Sequence, residues 1–203
     1  MSGTATVHVV DDDAAVRDSL RMLLEAAGFA VRTFDSASAF LASAPMGLGC
    51  VLTDVRMPEI DGLALLRRLR ELGVHLPVIV MTGQGDIAIA VQAMKAGAID
   101  FLEKPFDDAT LIEAIGKAQK QSERLQEVAE ASAEAATRLA TLTPREREVF
   151  DLLVTGLPNK AIANTLGASP RTIEVHRARI MEKLGAKNAA DLVRIVLSEG
   201  RSP

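Results

Sequence analysis

Short apolar runs alternate with stretches of helical periodicity along the first 122 residues of the chain. The five apolar runs have the length of β-strands, at Val7–Val10, Phe29–Phe34, Cys50–Thr53, Pro77–Thr82 and Asp100–Glu103. The stretches that separate and follow them predict helices at Ala14–Ala27, Ala37–Ala44, Gly62–Leu72, Ile87–Ala96 and Asp107–Gln121. This alternation predicts an α/β domain at 1–122, with a doubly wound, five-stranded parallel sheet covered by helices on both faces.

The pattern changes after residue 122. Residues 123–139 are rich in Ala and Glu, contain no Gly or Pro, and repeat apolar residues at helical intervals. We expect a helical linker here, continuous with the fifth helix or separate from it, and the alternative is a disordered acidic tether. Residues 140–203 predict an all-α domain of four helices, at about 144–155, 160–166, 170–184 and 188–198. The capping-box string Thr143-Pro144-Arg145-Glu146 opens this domain.

Composition and charge narrow the possibilities for both parts. Of the 203 residues, 48% are hydrophobic but only 3% are aromatic, so the cores must be aliphatic. The net charge of −4 conceals an asymmetry, because residues 1–142 carry −7 and the chain from Thr143 onward carries +3. An acidic front half and a basic rear half favour different partners, a cation for one and nucleic acid for the other.

The chain also lacks several common features of exported and membrane proteins. Its single cysteine, Cys50, excludes an intrachain disulfide and lies in an apolar run, which favours a buried thiol. There is no basic and apolar leader, and no apolar run approaches the ~18–20 residues that a membrane span needs. We therefore expect a cytoplasmic protein that makes no contact with a membrane.

Polar residues stand at the ends of four of the apolar runs. Asp11, Asp12 and Asp13 follow the first run and Asp54 follows the third, while Thr82 ends the fourth and Lys104 follows the fifth. In the doubly wound order 2-1-3-4-5, strands one and three are neighbours. The carboxylates that follow these two strands are then expected to converge at the carboxyl edge of the sheet.

Such a cluster suits phosphoryl transfer to an aspartate. Oxygen ligands at an open, wet site favour Mg²⁺, and a carboxylate can attack phosphorus to give an aspartyl phosphate. Mg²⁺, a lysine ammonium and a threonine hydroxyl would then offset the charge on the phosphoryl oxygens. Singly, each residue has an ordinary interpretation: Asp13 as a helix N-cap, which we favour, Lys104 as a surface lysine and Thr82 as a turn residue. Their joint occurrence at strand ends favours the functional interpretation.

Four strings around these residues resemble a CheY-like receiver domain over residues 4–122. They are Val9-Val10-Asp11-Asp12-Asp13, Leu52-Thr53-Asp54-Val55-Arg56-Met57-Pro58, Met81-Thr82-Gly83 and Phe101-Leu102-Glu103-Lys104-Pro105-Phe106. The resemblance implies that Asp54 is the phosphoacceptor, Lys104 the phosphate-pairing lysine, Thr82 the switch hydroxyl and Phe101 the rotating switch aromatic. The implied ligands of the metal are Asp11, Asp12, Asp54 and the backbone carbonyl of Arg56.

The switch residues border the fourth predicted helix and the fifth strand. Phosphorylation is therefore expected to drive dimerisation through this surface, with Val91, Lys95 and Ile99 as candidate contacts. The ordinary interpretation is that Val91 and Ile99 are core residues.

Residues 159–184 have the spacing of a helix-turn-helix motif, with Ser169 as N-cap and Pro170 in the first turn of its second helix. Helical phasing places Ile173, Ile180 and Leu184 on the core face of that helix. An outward stripe that would meet base edges contains Arg171, Glu174, Val175 and Ala178. The residues expected to hold phosphates are Thr172, Arg177, Arg179, Lys183 and Lys160. The alternative is a small helical bundle with a basic, solvated face.

The C-terminal strings resemble the LuxR/NarL-type DNA-binding module over residues 140–198. They are Leu142-Thr143-Pro144-Arg145-Glu146-Arg147-Glu148-Val149, Asn159-Lys160-Ala161-Ile162-Ala163 and Thr172-Ile173-Glu174-Val175-His176. The family often has a basic residue where Glu174 stands, and a carboxylate there could accept a hydrogen bond from cytosine. His176 is interpreted as a packed residue or one that lies near a phosphate.

The combination of both modules, with the string Met94-Lys95-Ala96-Gly97-Ala98, resembles FixJ-type response regulators. That resemblance implies a FixL-like sensor histidine kinase as phosphoryl donor, promoter DNA and RNA polymerase as further partners, and activation of nitrogen-fixation genes. It also implies that the chain is not an enzyme beyond catalysing its own phosphorylation and dephosphorylation.

Two other functions compete with this interpretation. A Mg²⁺-dependent phosphohydrolase also uses an Asp nucleophile, but such enzymes commonly have a second Asp two residues later, where this chain has Arg56. A ligand-gated transcription factor could share the C-terminal module alone, but an acidic site does not suit a large apolar ligand.

Overall fold

The computed structural model describes residues 5–43, 47–83 and 87–198. The chain divides into two compact units, residues 1–126 and residues 127–203. The first unit contains the sheet, and the described residues of the second unit form helices and the turns that join them.

The first unit is built on the predicted five-stranded sheet. Its strands are β1 (Thr6–Val10), β2 (Ala30–Phe34), β3 (Gly49–Asp54), β4 (Val78–Thr82) and β5 (Asp100–Glu103). All neighbouring pairs are parallel and the order is β2-β1-β3-β4-β5, which confirms the predicted doubly wound sheet. The predicted strand ends agree to within one residue.

Helices cover both faces of this sheet. They are α1 (Ala14–Ala26), α2 (Ala37–Ala42), α3 (Gly62–Glu71), α4 (Ile87–Lys95) and the start of α5 (Asp108–Leu139). One aliphatic core lies under α1 and α5, and the other lies under α2, α3 and α4. The predicted second helix reached Ala44, which lies outside the described residues, whereas α2 ends at Ala42. Because β1, β3 and β4 are buried on both faces, their ends are fixed with little freedom to shift.

Side-chain caps set where two of these helices begin. Asp13 precedes α1 and accepts hydrogen bonds from the backbone N–H groups of Ala15 and Val16, which confirms its interpretation as an N-cap. Asp61 precedes α3 and accepts from the N–H of Ala64 at 2.6 Å. Helix α1 therefore begins four residues after β1 ends, whereas α3 begins eight residues after β3 ends.

The linker segment is helical throughout. Helix α5 continues for 32 residues from Asp108 to Leu139 without a break, so the linker is helical and continuous with the fifth helix, which does not end at Gln121, and it is not a disordered tether. Leu139, at its C-terminal end, is buried in the core of the second unit. The domain boundaries at 122/123 and 139/140 stay a prediction, because an unbroken helix offers no break at which to place them.

The second unit contains the four predicted helices. They are α6 (Pro144–Val154), α7 (Asn159–Leu166), α8 (Pro170–Leu184) and α9 (Ala189–Ser198). Thr143 and Glu146 form the reciprocal capping box that opens α6. Gly167 and Gly185 end α7 and α8 in the left-handed conformation, with φ of 61° and 64°. Within the described ranges, no helix is both long and apolar enough to cross a membrane.

A buried histidine interrupts the apolar face of β1. His8 is only 5% exposed, and its ring lies 5.4 Å from that of Phe40 and 6.0 Å from that of Phe34. Its Nδ1 atom has no hydrogen-bond partner among the described residues. Burial, followed by the nearby charge of Arg32, lowers the pKa of His8 from 6.5 to about 4.

This histidine makes the first unit sensitive to acid. Because the pKa of His8 is lower in the folded state than in the unfolded chain, its neutral form stabilises the fold above pH 6.5, and this stability is lost as the pH falls towards 4. As the pH falls from 7.5 to 4.5, we expect the free energy of unfolding of His8→Leu to rise by about 2–3 kcal/mol relative to that of the wild type. Urea unfolding, monitored through amide hydrogen exchange in β1 and β3 at each pH, measures this difference. A constant difference at both pH values would contradict the prediction.

Candidate functional site

Four of the predicted site residues stand at the carboxyl edge of the sheet. Asp11 follows β1, Asp54 ends β3, Thr82 ends β4 and Lys104 follows β5. The Nζ atom of Lys104 lies 2.5 Å from Oδ1 of Asp54 and 3.1 Å from Oδ2 of Asp11. The sheet order therefore brings together the two carboxylates and the lysine, as the sequence predicted.

The remaining oxygen of each carboxylate is held by the backbone. Oδ1 of Asp11 accepts from the N–H of Asp13 at 2.9 Å, and Oδ2 of Asp54 accepts from the N–H of Arg56 at 2.5 Å. Asp11 is only 2% exposed, whereas Asp54 lies closer to solvent. Arg17 also donates to the backbone carbonyl of Asp11 at 2.7 Å, a contact that sequence reasoning did not foresee. Both carboxylates are thus fixed in orientation, with Asp54 the more accessible.

Lys104 keeps its charge in this setting. Burial by itself would lower the pKa of Lys104, but hydrogen bonds and Coulomb attraction from Asp54 and Asp11 outweigh that effect and raise it overall. The backbone N–H of Lys104 also donates to the carbonyl of Thr82 at 2.8 Å. The end of β4 is therefore tied directly to the residue that carries the ammonium.

Oxygen donors that could hold Mg²⁺ lie at the same edge of the sheet. In the parts of the chain that the structure describes, no group of three or more His, Cys, Asp or Glu side chains is arranged to hold a metal ion. Mg²⁺ commonly uses only one or two carboxylates and fills its other positions with water. Asp11 and Asp54 already converge on one cation, and the side chain of Asp12 is exposed beside them. These oxygen donors fit Mg²⁺ by their chemistry.

The two predicted switch residues differ in exposure. Thr82 is buried at the end of β4, whereas Phe101 in β5 is 41% exposed. On α4, Val91 is 48% exposed and Lys95 is exposed. Ile99, which follows α4, packs partly against the core. Ile87 and Met94 add to the exposed apolar area of this helix, and the sequence reasoning did not select them.

Gly62 allows α3 to start directly against the strand end that carries Asp54. Its N–H donates to the carbonyl of Val55 at 3.0 Å. A Cβ atom at this position would lie 2.3 Å from the backbone oxygen of Asp54. The sequence alone gave no sign of this requirement, because it depends on how closely two segments approach.

The second helix of the predicted helix-turn-helix presents the expected faces. Ile173, Ile180 and Leu184 are buried in the core of the second unit. Seven predicted DNA contacts on α8 are exposed, namely Arg171, Thr172, Glu174, Val175, Ala178, Arg179 and Lys183. Lys160 is exposed near the start of α7, and Arg177 is partly buried. Ser169 caps α8 by accepting from the N–H of Thr172 at 3.1 Å, as predicted.

Several of these polar side chains already contact other side chains. Arg171 pairs with Glu174 at 3.6 Å, and Arg177 donates to Oδ1 of Asn159 at 3.3 Å. Lys183 forms an ion pair with Glu146 at 2.6 Å. His176 is partly buried and its Nδ1 atom has no partner among the described residues, in keeping with a packed residue.

Comparison with known proteins identifies both units. The model of the response regulator receiver domain matches residues 7–116, and that of bacterial regulatory proteins of the luxR family matches residues 140–196. The chain therefore belongs to the response regulators that join a receiver to a LuxR-type DNA-binding domain. Among curated proteins, it is 52% identical to the transcriptional regulatory protein FixJ of Azorhizobium caulinodans, covering 100% of this chain and 97% of that protein. FixJ of Rhizobium meliloti is 49% identical, with 98% of each chain covered.

Solved structures agree with this assignment. The response regulator StyR is 41% identical with a TM-score of 0.82, and the match covers 96% of this chain and 99% of StyR. Full-length FixJ from B. japonicum is 47% identical with a TM-score of 0.59, over 98% of both chains. The resemblance to FixJ-type regulators that the motifs indicated is thus confirmed.

The close approach at Gly62 generates a stability prediction with an internal control. Gly62→Ala forces the new Cβ against the backbone of Asp54, and overpacking of this kind costs about 1–3 kcal/mol of unfolding free energy. Gly116→Ala, in the interior of α5 with no atom within 4 Å of the added Cβ, is expected to be neutral or stabilising. Urea unfolding of both variants measures the contrast. Equal stability of the two would show that the Asp54 segment yields freely.

Proposed function

We propose that this chain is a phosphorylation-controlled transcription regulator in which Asp54 receives a phosphoryl group from a sensor histidine kinase. The observation that carries the proposal is the Lys104 ammonium, which lies between the carboxylates of Asp11 and Asp54 at the ends of β1 and β3. Receiver domains typically use Mg²⁺ at this position, and its ligands here would be Asp11, Asp12, Asp54 and the Arg56 carbonyl. When bound, Mg²⁺ supplies positive charge to the phosphoryl oxygens.

The residues around Asp54 can perform this chemistry. The Asp54 carboxylate attacks phosphorus, and the new O–P bond forms as the bond from phosphorus to the donor's imidazole nitrogen breaks. Lys104, already within 2.5 Å of Asp54, pairs with a phosphoryl oxygen, and the N–H of Arg56 remains as a donor beside it. The Thr82 hydroxyl, at the end of the adjacent strand, donates to another phosphoryl oxygen.

A movement of Thr82 would change the positions of residues on the α4–β5 face. Lys104 and Thr82 share a backbone hydrogen bond, and Phe101 lies in β5 next to β4. We propose that Phe101 turns inward as Thr82 moves, and that the exposed Val91 and Lys95, with the partly buried Ile99 beside them, then join a second copy of the chain. The exposure of Val91 supports an interface better than a core position.

The support that relatives give to a physiological role varies with their sequence identity to this chain. The two FixJ proteins above are about half identical to this chain, whereas TdiR of Thauera aromatica is 43% identical and the C4-dicarboxylate transport regulator DctR of Rhodobacter capsulatus is 45% identical. We propose a FixL-like kinase as donor and activation of nitrogen-fixation promoters together with RNA polymerase. A cytoplasmic location is part of the same proposal, since promoter DNA is the target.

The competing phosphohydrolase has less support. Arg56 occupies the position where such enzymes carry their general acid, and its backbone N–H is bound to Asp54. The matched relatives named above are regulators with the same two modules. Incorporation of a single phosphoryl group, with no hydrolysis of other phosphate esters, would identify the chain as a regulator and not a hydrolase.

Phosphorylation at Asp54 is directly testable. With acetyl phosphate and Mg²⁺, the wild type should incorporate one alkali-labile phosphoryl group and sediment as a dimer, because the phosphoryl group recruits Lys104 and Thr82. Asp54→Asn should keep the fold, incorporate none and stay monomeric, and removal of Mg²⁺ with EDTA should abolish labelling of the wild type. Asp61→Asn, which changes an acidic N-cap on the neighbouring loop, is the matched control and should still label. Full labelling of Asp54→Asn would overturn the assignment.

We further propose that α8 reads DNA as two copies on a two-fold site. The short side chains of Val175 and Ala178 let the helix lie deep in the major groove, so that Arg171 and Glu174 reach base edges. Thr172, Arg177, Arg179 and Lys160 lie where they can hold phosphates. Lys183 was expected to join this group, but its ammonium already binds Glu146.

Substitution of a residue that reads bases and of a residue that holds a phosphate should have different effects on DNA binding. Glu174→Ala should cost about 1–3 kcal/mol at the preferred base pair only, whereas Arg179→Ala should weaken binding to all sequences and lower the salt slope by about one unit. Salt-titrated binding to the operator and to a scrambled duplex measures both effects. If Glu174→Ala weakened both duplexes equally, α8 would not present its reading face as proposed.

A further inference from the structure

Two cations tie the C-terminal end of α8 to the segment that precedes α6. Nη1 of Arg138, in the last turn of α5, donates to the carbonyl of Leu184 at 3.2 Å. Nζ of Lys183 donates to the carbonyl of Thr141 at 3.1 Å and to Oε2 of Glu146 at 2.6 Å. All of these contacts lie within the second unit. The last turn of α8 is therefore bound to α5, to the α5–α6 turn and to α6.

Glu146 makes the Lys183 contact difficult to break. It is only 3% exposed, and its Oε2 atom also accepts from the N–H of Thr143 at 2.9 Å and from the Thr143 hydroxyl at 3.0 Å. Hydrogen bonds from Lys183 and then from Thr143 lower the pKa of Glu146 to about 2, so it is charged at neutral pH. A buried carboxylate without its cation is strongly unfavourable, which holds Lys183 in place.

Arg138 satisfies a different need. The last carbonyls of a helix have no partner within the helix, and cations are favoured at that end. Arg138 supplies a donor to Leu184 and is itself held by Oε1 of Glu134 at 2.6 Å. Leu139, the next residue, packs with Leu184 in the same core. The ends of α5 and α8 are thus fixed to each other by polar and apolar contacts together.

We propose that Arg138, Lys183 and Glu146 form a clamp that sets the angle of α8 against the last turn of α5, and that both cations are positioning residues for DNA binding. This inference rests on the proposed function of α8 as the reading helix. It replaces the expected role of Lys183 as a phosphate ligand. It also makes the end of the linker helix a direct support of the reading helix, so that a change in the angle of α5 passes to α8 through three side chains.

The first test asks whether the two cations meet phosphates. The full chain is titrated with a random 30-bp duplex between 50 and 250 mM KCl. Lys183→Met and Arg138→Met should weaken binding about fivefold at every salt concentration with an unchanged slope, because no counterion-releasing contact is lost. Arg179→Met, an exposed cation of the same helix, is the matched control and should lower the slope by about 0.9. A fall of that size in Lys183→Met and Arg138→Met would overturn the proposal.

The second test observes the angle itself and does not depend on DNA. Spin labels are placed on Ala133→Cys in α5 and Glu182→Cys in α8, since native Cys50 is buried with its thiol pKa raised to about 12. The wild type should give one narrow distance distribution, Lys183→Met and Arg138→Met broader ones, and Lys183→Arg a narrow one again. The double variant Lys183→Met/Glu146→Gln removes the unpaired buried charge and should stay folded but broad. Narrow distributions in all variants would refute the clamp even if every variant bound DNA normally.

Discussion

The attraction between the Lys104 ammonium and two carboxylates is the interaction on which the acidic edge of the first unit depends. Adjacent parallel strands β1 and β3 place Asp11 and Asp54 side by side, and their register leaves no room to separate them. Two neighbouring carboxylates repel, and one of them is buried, so a cation must lie between them. The cation comes from the far edge of the sheet, after β5, and is tied to β4 through Thr82. Charge balance thus joins four of the five strands in one site.

Most of the fold could be predicted because it depends on local patterns. Apolar runs and helical spacing located every strand and helix of the described residues, and the helix caps at Asp13 and Ser169 followed from side-chain chemistry. The end of the fifth helix could not be predicted in the same way. Residues 123–139 have good helix formers and no breaker, so nothing in the sequence marks where α5 leaves one core and enters the other.

The candidate site was predictable where single residues carry the chemistry and unpredictable where it depends on distance. Asp54, Asp11 and Lys104 stand at the ends of strands, where the strand order places the two carboxylates side by side and the lysine side chain reaches them from the end of β5. The need for Gly62 depends on a backbone approach that no composition reveals. Lys183 shows the same limit in the second unit, because the sequence does not reveal that its ammonium pairs with the buried carboxylate of Glu146.

The shared helix α5 also limits how nature can recombine these modules. Its first turns supply Leu111 and Ile115 to the core beneath the sheet, and its final turn supplies Leu139 to the core of the DNA-binding unit. A gene fusion joined after Leu139 would give the C-terminal module a foreign residue in its own interior and remove the guanidinium of Arg138 from the end of α8. A junction between residues 123 and 134 would keep both. The segment that must be inherited together with the DNA-binding module therefore begins inside α5, before residue 140, where the match to the luxR-family model begins. A receiver exchanged by gene fusion keeps these contacts when the junction lies before residue 134.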